Sequence, residues 1–127
     1  MKTSELKAEG TLNWGVAMAE GWIIKPNTHR FNKELIMIKG DKAHEWFADY
    51  NPSTNWSQGG PIIEQEGITI THHGNDWKDA WSARKGDGHW KGEEAYGPTP
   101  LIAAMRCYVA SKLGDEVEIP EELKWNC

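Results

Sequence analysis

The chain has 127 residues, which fits one compact domain of ordinary size and leaves little room for a second. Leu, Ile, Val and Phe number only 21, but eight tryptophans, each able to bury roughly 150–250 Å², supply the missing apolar surface for a folded core. The net charge of −5 is concentrated in residues 114–127, so the body is nearly neutral and lacks the basic footprint that duplex nucleic acid requires.

Taken in chain order, Thr11–Glu20 predicts a helix with Thr11 as N-cap, Leu12, Val16 and Ala19 on one face and Gly21 closing its end. Trp22–Lys25 reads as a strand stopped by Pro26, Glu34–Lys39 as a second, and the stretch around Glu45–Ala48 as a third. The links are too short for parallel crossovers, so the pairing is antiparallel. Trp14, Trp22 and Trp46 lie in these elements and are assigned to the core.

Residues 51–98 hold eight of the 13 glycines and four of the eight tryptophans. Here Ser57–Pro61 reads as a loop feeding a short helix, with Pro61 near its first turn and Gly67 at its end. Ile68–Thr71 is a β-branched strand with Asp79–Arg84 as its antiparallel partner. The clearest helix is capped by Thr99, begins at Pro100 and runs to Leu113 before Gly114. Its stripe of Leu101, Ile102, Met105, Tyr108, Val109 and Leu113 is the expected central core contact. The predicted fold is α+β: a small antiparallel sheet, two main helices near 11–20 and 100–113, and a glycine- and tryptophan-rich loop region. Residues 1–113 form the compact domain, and 114–127 an acidic tail that docks through Ile119 and Trp125 or frays.

Two cysteines, Cys107 and Cys127, make no disulfide framework and suit a reducing compartment. With no charged-then-apolar leader and no run of 18 apolar residues, a cytoplasmic protein without a membrane partner is expected.

Trp56-Ser-Gln-Gly-Gly-Pro-Ile-Ile-Glu64, Gly67-Ile-Thr69 and Gly97-Pro-Thr-Pro-Leu-Ile-Ala-Ala-Met-Arg-Cys-Tyr-Val-Ala-Ser-Lys-Leu-Gly-Asp115 resemble the phage NinX family, as does Leu12–Gly21 at the opening helix. The resemblance covers most of the chain, with Lys25–Tyr50 the least familiar part. It implies a phage or prophage origin and expression inside an infected bacterium. No catalytic residue transfers with the family name, and a counter-defence role follows only by association with other small phage proteins.

Four constellations could carry chemistry. Trp56, Ser57, Gln58, Gly59 and Gly60 precede a helix, where backbone amides approached past glycine can cradle a phosphate and Trp56 can stack; a plain turn and cap is the competing explanation. Thr99 marks a second helix start of that type, weakened by Pro98 and Pro100, which lack amide donors. Trp77, Trp81, Trp90 and Tyr96, interleaved with Arg84, Lys85 and Lys91, form an aromatic and basic set suited to stacking bases and gripping phosphate, or else a small satellite core.

The adjacent His72 and His73 have no zinc spacing, so no metal or cofactor is expected, and His89 with Asp87 or Asp79 is a conceivable acid–base pair without a motif. Arg106 edges the helix stripe and points into a site or pairs with a carboxylate. Ala103, Ala104, Cys107 and Ala110 make a small-residue face for an intrachain or a dimer contact, and Cys107 is read as structural.

The function these residues favour is a phage-encoded, non-catalytic sponge that sequesters a nucleotide-derived signal of the bacterial immune system. Ligand contacts are assigned to Trp56, Ser57, Gln58, Gly59, Gly60, Trp77, Trp81, Arg84, Trp90, Thr99 and Arg106. A homodimer or higher oligomer is the favoured state. The alternatives are an inhibitor that binds a host protein through exposed aromatics and the acidic tail, and a small hydrolase of such a signal using the histidines.

Overall fold

The computed structural model describes residues 1–7, 10–26, 35–39, 43–74, 78–85 and 94–119. Helix α1 (Thr11–Ala19) leads to a sheet of β1 (Ile23–Pro26), β2 (Leu35–Lys39) and β3 (Ala43–Trp46). A 3-10 turn at Phe47–Asp49 and helix α2 (Trp56–Glu66) follow, then a second sheet of β4 (Ile68–His72), β5 (Trp81–Lys85) and β6 (Ala95–Gly97), and helix α3 (Pro100–Leu113). Each sheet is antiparallel in sequence order, so the fold is α+β with two three-stranded sheets rather than one. The chain between β3 and β4 makes α2, which carries the second hairpin onto α3 instead of extending the first sheet.

Helix α1 ends as its sequence predicts. Gly21 takes φ +93°, and the amides of Gly21 and Trp22 donate to the carbonyls of Met18 (3.1 Å) and Ala17 (2.9 Å), closing a Schellman end. Its start differs: Gly10 occupies the cap position, and the Thr11 hydroxyl accepts from the Lys7 amide (3.1 Å) instead of capping its own helix. Leu12 and Val16 face one core cluster with α3, whereas Trp14 and Ala17 join Met37 and Phe47 in another, so α1 is the wall between two cores. Trp14 is buried, while Trp22 packs partly buried against the second cluster and Trp46 is half-buried.

Helix α2 starts five residues before Pro61. The Asn55 side chain accepts from the Ser57 amide (2.9 Å), and this cap outweighs the turn signal of Gly-Gly-Pro, leaving Pro61 inside the helix. Gly67, at φ +63°, ends it and starts β4.

Helix α3 is built as predicted. Thr99 Oγ1 accepts from the Ile102 amide (3.1 Å), Pro100 opens the first turn, and Leu101, Ile102, Met105, Tyr108 and Val109 are buried. Its small-residue face is occupied within the chain. Ala103, Ala104 and Cys107 are fully buried, and a Cβ added to Gly97 would lie 2.7 Å from the Ala103 amide. Residues 115–119 return to the chain start: the Thr3 amide donates to the Asp115 carbonyl (2.9 Å), Met1 and Val117 exchange backbone bonds, and Val117 and Ile119 pack on both clusters. Trp125 lies outside the described residues.

Candidate functional site

The first expected constellation closes on itself. The Gln58 side chain accepts from the Asn51 amide and donates to the Asp49 carbonyl (2.8 Å). The Ser57 hydroxyl donates to Asn55 Oδ1 (2.7 Å), and the amides of Gln58 and Gly59 donate to the Asn55 carbonyl. Gly59 is required by packing, because a Cβ there would lie 2.4 Å from the Pro52 carbonyl oxygen and 2.6 Å from Leu101 Cδ1, whereas Gly60 has open space around it. The amides expected to cradle a phosphate are therefore already engaged. Trp56 projects from this turn with 55% exposure.

Beneath the turn lies a polar knot that sequence reading missed. Asn13, only 1% exposed within α1, accepts from the Ser53 amide (3.1 Å) and hydroxyl (2.7 Å) and donates to Asn51 Oδ1 (3.3 Å). A buried amide side chain that meets several loop groups at once fixes the loop that leads into α2.

The second constellation is divided by the sheet. Strand residues alternate between faces, and the register pairs Thr69 with Arg84, Thr71 with Ser82, and Ser82 with Tyr96 on one face. Ile70, Ala83, Ala95, Trp81 and Gly97 share the other, against α3. Trp81 and Arg84 thus point to opposite faces. Trp81 packs partly buried on the core, with the His72 ring 4.4 Å from its own. Arg84, Thr69, Thr71 and Tyr96 are exposed, and Tyr96 shows 44% of its surface. The His73 ring lies 6.1 Å from the Tyr96 ring, so this outer face combines an aromatic plane, hydroxyls and a guanidinium.

Two further candidates, Arg106 and Thr99, have internal partners. Arg106 Nε donates to the Leu6 carbonyl (3.0 Å) and Nη1 to the Tyr96 carbonyl (2.7 Å), so the guanidinium clamps the β6 edge to the N-terminal segment. Burial lowers its pKa, and the charge of Asp79 opposes that shift. Thr99 is engaged as the α3 cap. Trp77, Trp90, His89, Asp87 and Lys91 lie outside the described residues.

Two nucleophile-bearing groups are enclosed. Ser82 Oγ and His73 Nε2 share a hydrogen bond at 2.7 Å, a distance suited to a nucleophile and its base, but Ser82 is only 2% exposed. Burial pushes the Cys107 thiol up to about 11, against a lowering influence of Lys85, so it stays protonated at neutral pH. Among the described residues no three His, Cys, Asp or Glu side chains gather to hold a metal ion, and no helix is long and apolar enough to cross a membrane.

A search of curated proteins finds no match to this chain. The family model described as Bacteriophage P22, NinX matches residues 2–112, from the N-terminal segment to the last turn of α3. The chain belongs to this phage NinX family.

Proposed function

We propose that the protein is a binding module that holds a nucleotide-derived signal of the bacterial immune response on the outer face of the β4–β5–β6 sheet, in the cytoplasm of the infected host. It acts by capture without turnover. The observation that carries this reading is the common face of the exposed Tyr96 ring and the exposed Arg84 guanidinium, with Thr69 and Thr71 beside them. Stacking of a base on an aromatic ring contributes about 1–3 kcal/mol, and a guanidinium binds phosphate oxygens in a bidentate, charge-assisted manner. Capture needs only these contacts. Ser82 and Cys107, the enclosed hydroxyl and thiol, take no part in it.

A melting-temperature screen with nucleotides tests the proposal. A ligand present at about 100 times its dissociation constant stabilises the fold by about 2.7 kcal/mol. Arg84→Ala and Tyr96→Ala are expected to abolish that stabilisation while leaving the unliganded fold intact. Ligand released by denaturation should be recovered unchanged; a hydrolysed product would replace capture with turnover. If no nucleotide shifts the transition, the sheet face is not a nucleotide site, and an inhibitor of a host protein becomes the better reading.

A further inference from the structure

Strand β4 stands at one side of the second sheet, and its backbone groups fall into two sets. The His73 amide donates to the Ala80 carbonyl (2.7 Å), and the ladder continues with Thr71 opposite Ser82 and Thr69 opposite Arg84. Bonded pairs alternate along an antiparallel ladder, so Thr69 and Thr71 turn their amides and carbonyls to β5. Those of Ile68, Ile70 and His72 point to the side away from β5. Two other strand edges are blunted: β1 carries Lys25 and ends at Pro26, while β6 has three residues, with the Tyr96 carbonyl taken by Arg106 Nη1 (2.7 Å). Strand β4 has no such device. It reads Ile-Thr-Ile-Thr-His, without proline, lysine or carboxylate, and Thr69, Thr71 and His72 are exposed.

We propose that β4 is a self-association edge, to which a second copy of this chain adds its own β4, antiparallel about a two-fold axis at Ile70, to make one six-stranded sheet. The strand is self-complementary in that register. Ile70 meets Ile70 of the second copy and Ile68 meets His72, and these are the positions whose amides and carbonyls point away from β5. Thr69 faces Thr71 between them, a pair whose hydroxyls can bond across the strands. No like charges oppose each other at any of the five positions, and a charged peptide would find no opposite charge on the strand to read. An isologous contact of this kind closes at two copies. It also joins the two outer faces, because Thr69 and Thr71 share a face with Arg84, and sets the two β5 strands three spacings, about 14 Å, apart. The pairing does not depend on what that face holds.

Five paired residues per copy make a contact smaller than the roughly 800 Å² per partner of a stable complex, so the dimer should dissociate in the micromolar range. Sedimentation equilibrium of the full chain should show this exchange. Thr69→Glu with Thr71→Glu sets carboxylates opposite each other in both pairs and should weaken the dimer about tenfold or more. The matching chain with Thr69→Lys and Thr71→Lys should be equally weakened alone, and mixing the two should restore a one-to-one dimer, because position 69 of one copy faces position 71 of the other. Amide exchange in the unsubstituted chain reads the same edge. Raising the protein concentration should slow exchange at Ile70 and His72, while Thr69 and Thr71 stay protected throughout by their bonds to β5. Circular-dichroism melting checks the variants, and if either fails to fold the exchange measurement decides. A wild-type chain that is monomeric up to about 0.1 mM, a dimer that the glutamate pair leaves intact, or folded variants that do not pair on mixing overturns the proposal. So does protection of Ile70 and His72 that is equal at every concentration, which would mean that the edge is closed within one chain.

Discussion

Residues 51–60 and the outer face of the β4–β5–β6 sheet look alike as sequence, since both are polar, aromatic and close to glycine. In the fold they differ in where their polar groups find partners. The first segment turns inward: Asn51, Ser53, Asn55, Ser57 and Gln58 bond to one another, to Asn13 or to nearby backbone. On the sheet face, Thr69, Thr71, Arg84 and Tyr96 are left to solvent. A polar segment that satisfies itself stabilises the fold, and one that does not is available to a ligand, so substitutions should separate the two by their effect on stability.

The largest effect is expected at Asn13. Asn13→Ala removes the bonds that Asn13 makes to the amide and hydroxyl of buried Ser53 and to Asn51, and should destabilise the protein by about 3 kcal/mol in chemical denaturation. A loss below about 0.5 kcal/mol, the range of ordinary surface changes, would mean that water replaces Asn13 and that the segment is not self-contained.

The paired glycines divide the same turn. Gly59→Ala drives a methyl into the Pro52 carbonyl and Leu101, and backbone cannot yield as a flexible side chain can, so a cost of about 1–3 kcal/mol is expected. Gly60→Ala meets no atom within 4 Å and should stabilise the helix by about 0.5–1 kcal/mol. Opposite signs from adjacent glycines would establish that close packing, rather than ligand approach, requires the first of them.

A smaller effect belongs to the inner side of the second sheet. Glu66, with a side chain only 13% exposed, meets Lys85 of β5 at 3.2 Å and Lys112 of α3 at 3.1 Å. Burial alone would raise its pKa, but the adjacent ammonium groups of Lys112 and Lys85 outweigh it and hold the carboxyl below its ordinary value of 4.5. A carboxyl depressed by folding stabilises the native state above its unfolded value, and that contribution is lost as pH falls through the folded value. Glu66→Gln should therefore cost about 1 kcal/mol at neutral pH, and the gap to wild type should shrink as the pH is lowered past 4.5. A gap independent of pH would show that the amide loses packing rather than charge.

What could be read in advance follows from how local each signal is. Helix α3 was legible because its Thr99 cap, Pro100, apolar stripe and terminal Gly114 all lie within one stretch of sequence. The start of α2 was not, because Gly-Gly-Pro carries a strong turn signal, while the need for Gly59 comes from Pro52 and from Leu101, some forty residues away. Strand β6 has only three residues and no periodicity; its pairing with β5 and its contact with α3 are both non-local. Trp81 and Arg84, three apart on a strand, must face opposite ways, so the division of the aromatic set was implicit in the strand period once β5 was recognised. The helix pattern sets Arg106 at the edge of the stripe, but its two carbonyl partners come from Leu6 and Tyr96, which the helix alone does not reveal.

The smallest stability effect should come from the face that turns outward. Arg84 has no ion-pair partner among the described residues, so Arg84→Ala should change stability by less than about 0.5 kcal/mol, although Arg84 lies directly opposite Thr69 in the same ladder. Denaturation of Arg84→Ala beside Asn13→Ala places both regions on one scale. A cost at Arg84 approaching that at Asn13 would mean that the guanidinium is part of the fold's own bonding, and the contrast between an inward and an outward polar region would collapse. A negligible cost leaves its donors free for a ligand, because a group that contributes little to the unliganded protein can be committed to a phosphate without weakening the scaffold that presents it.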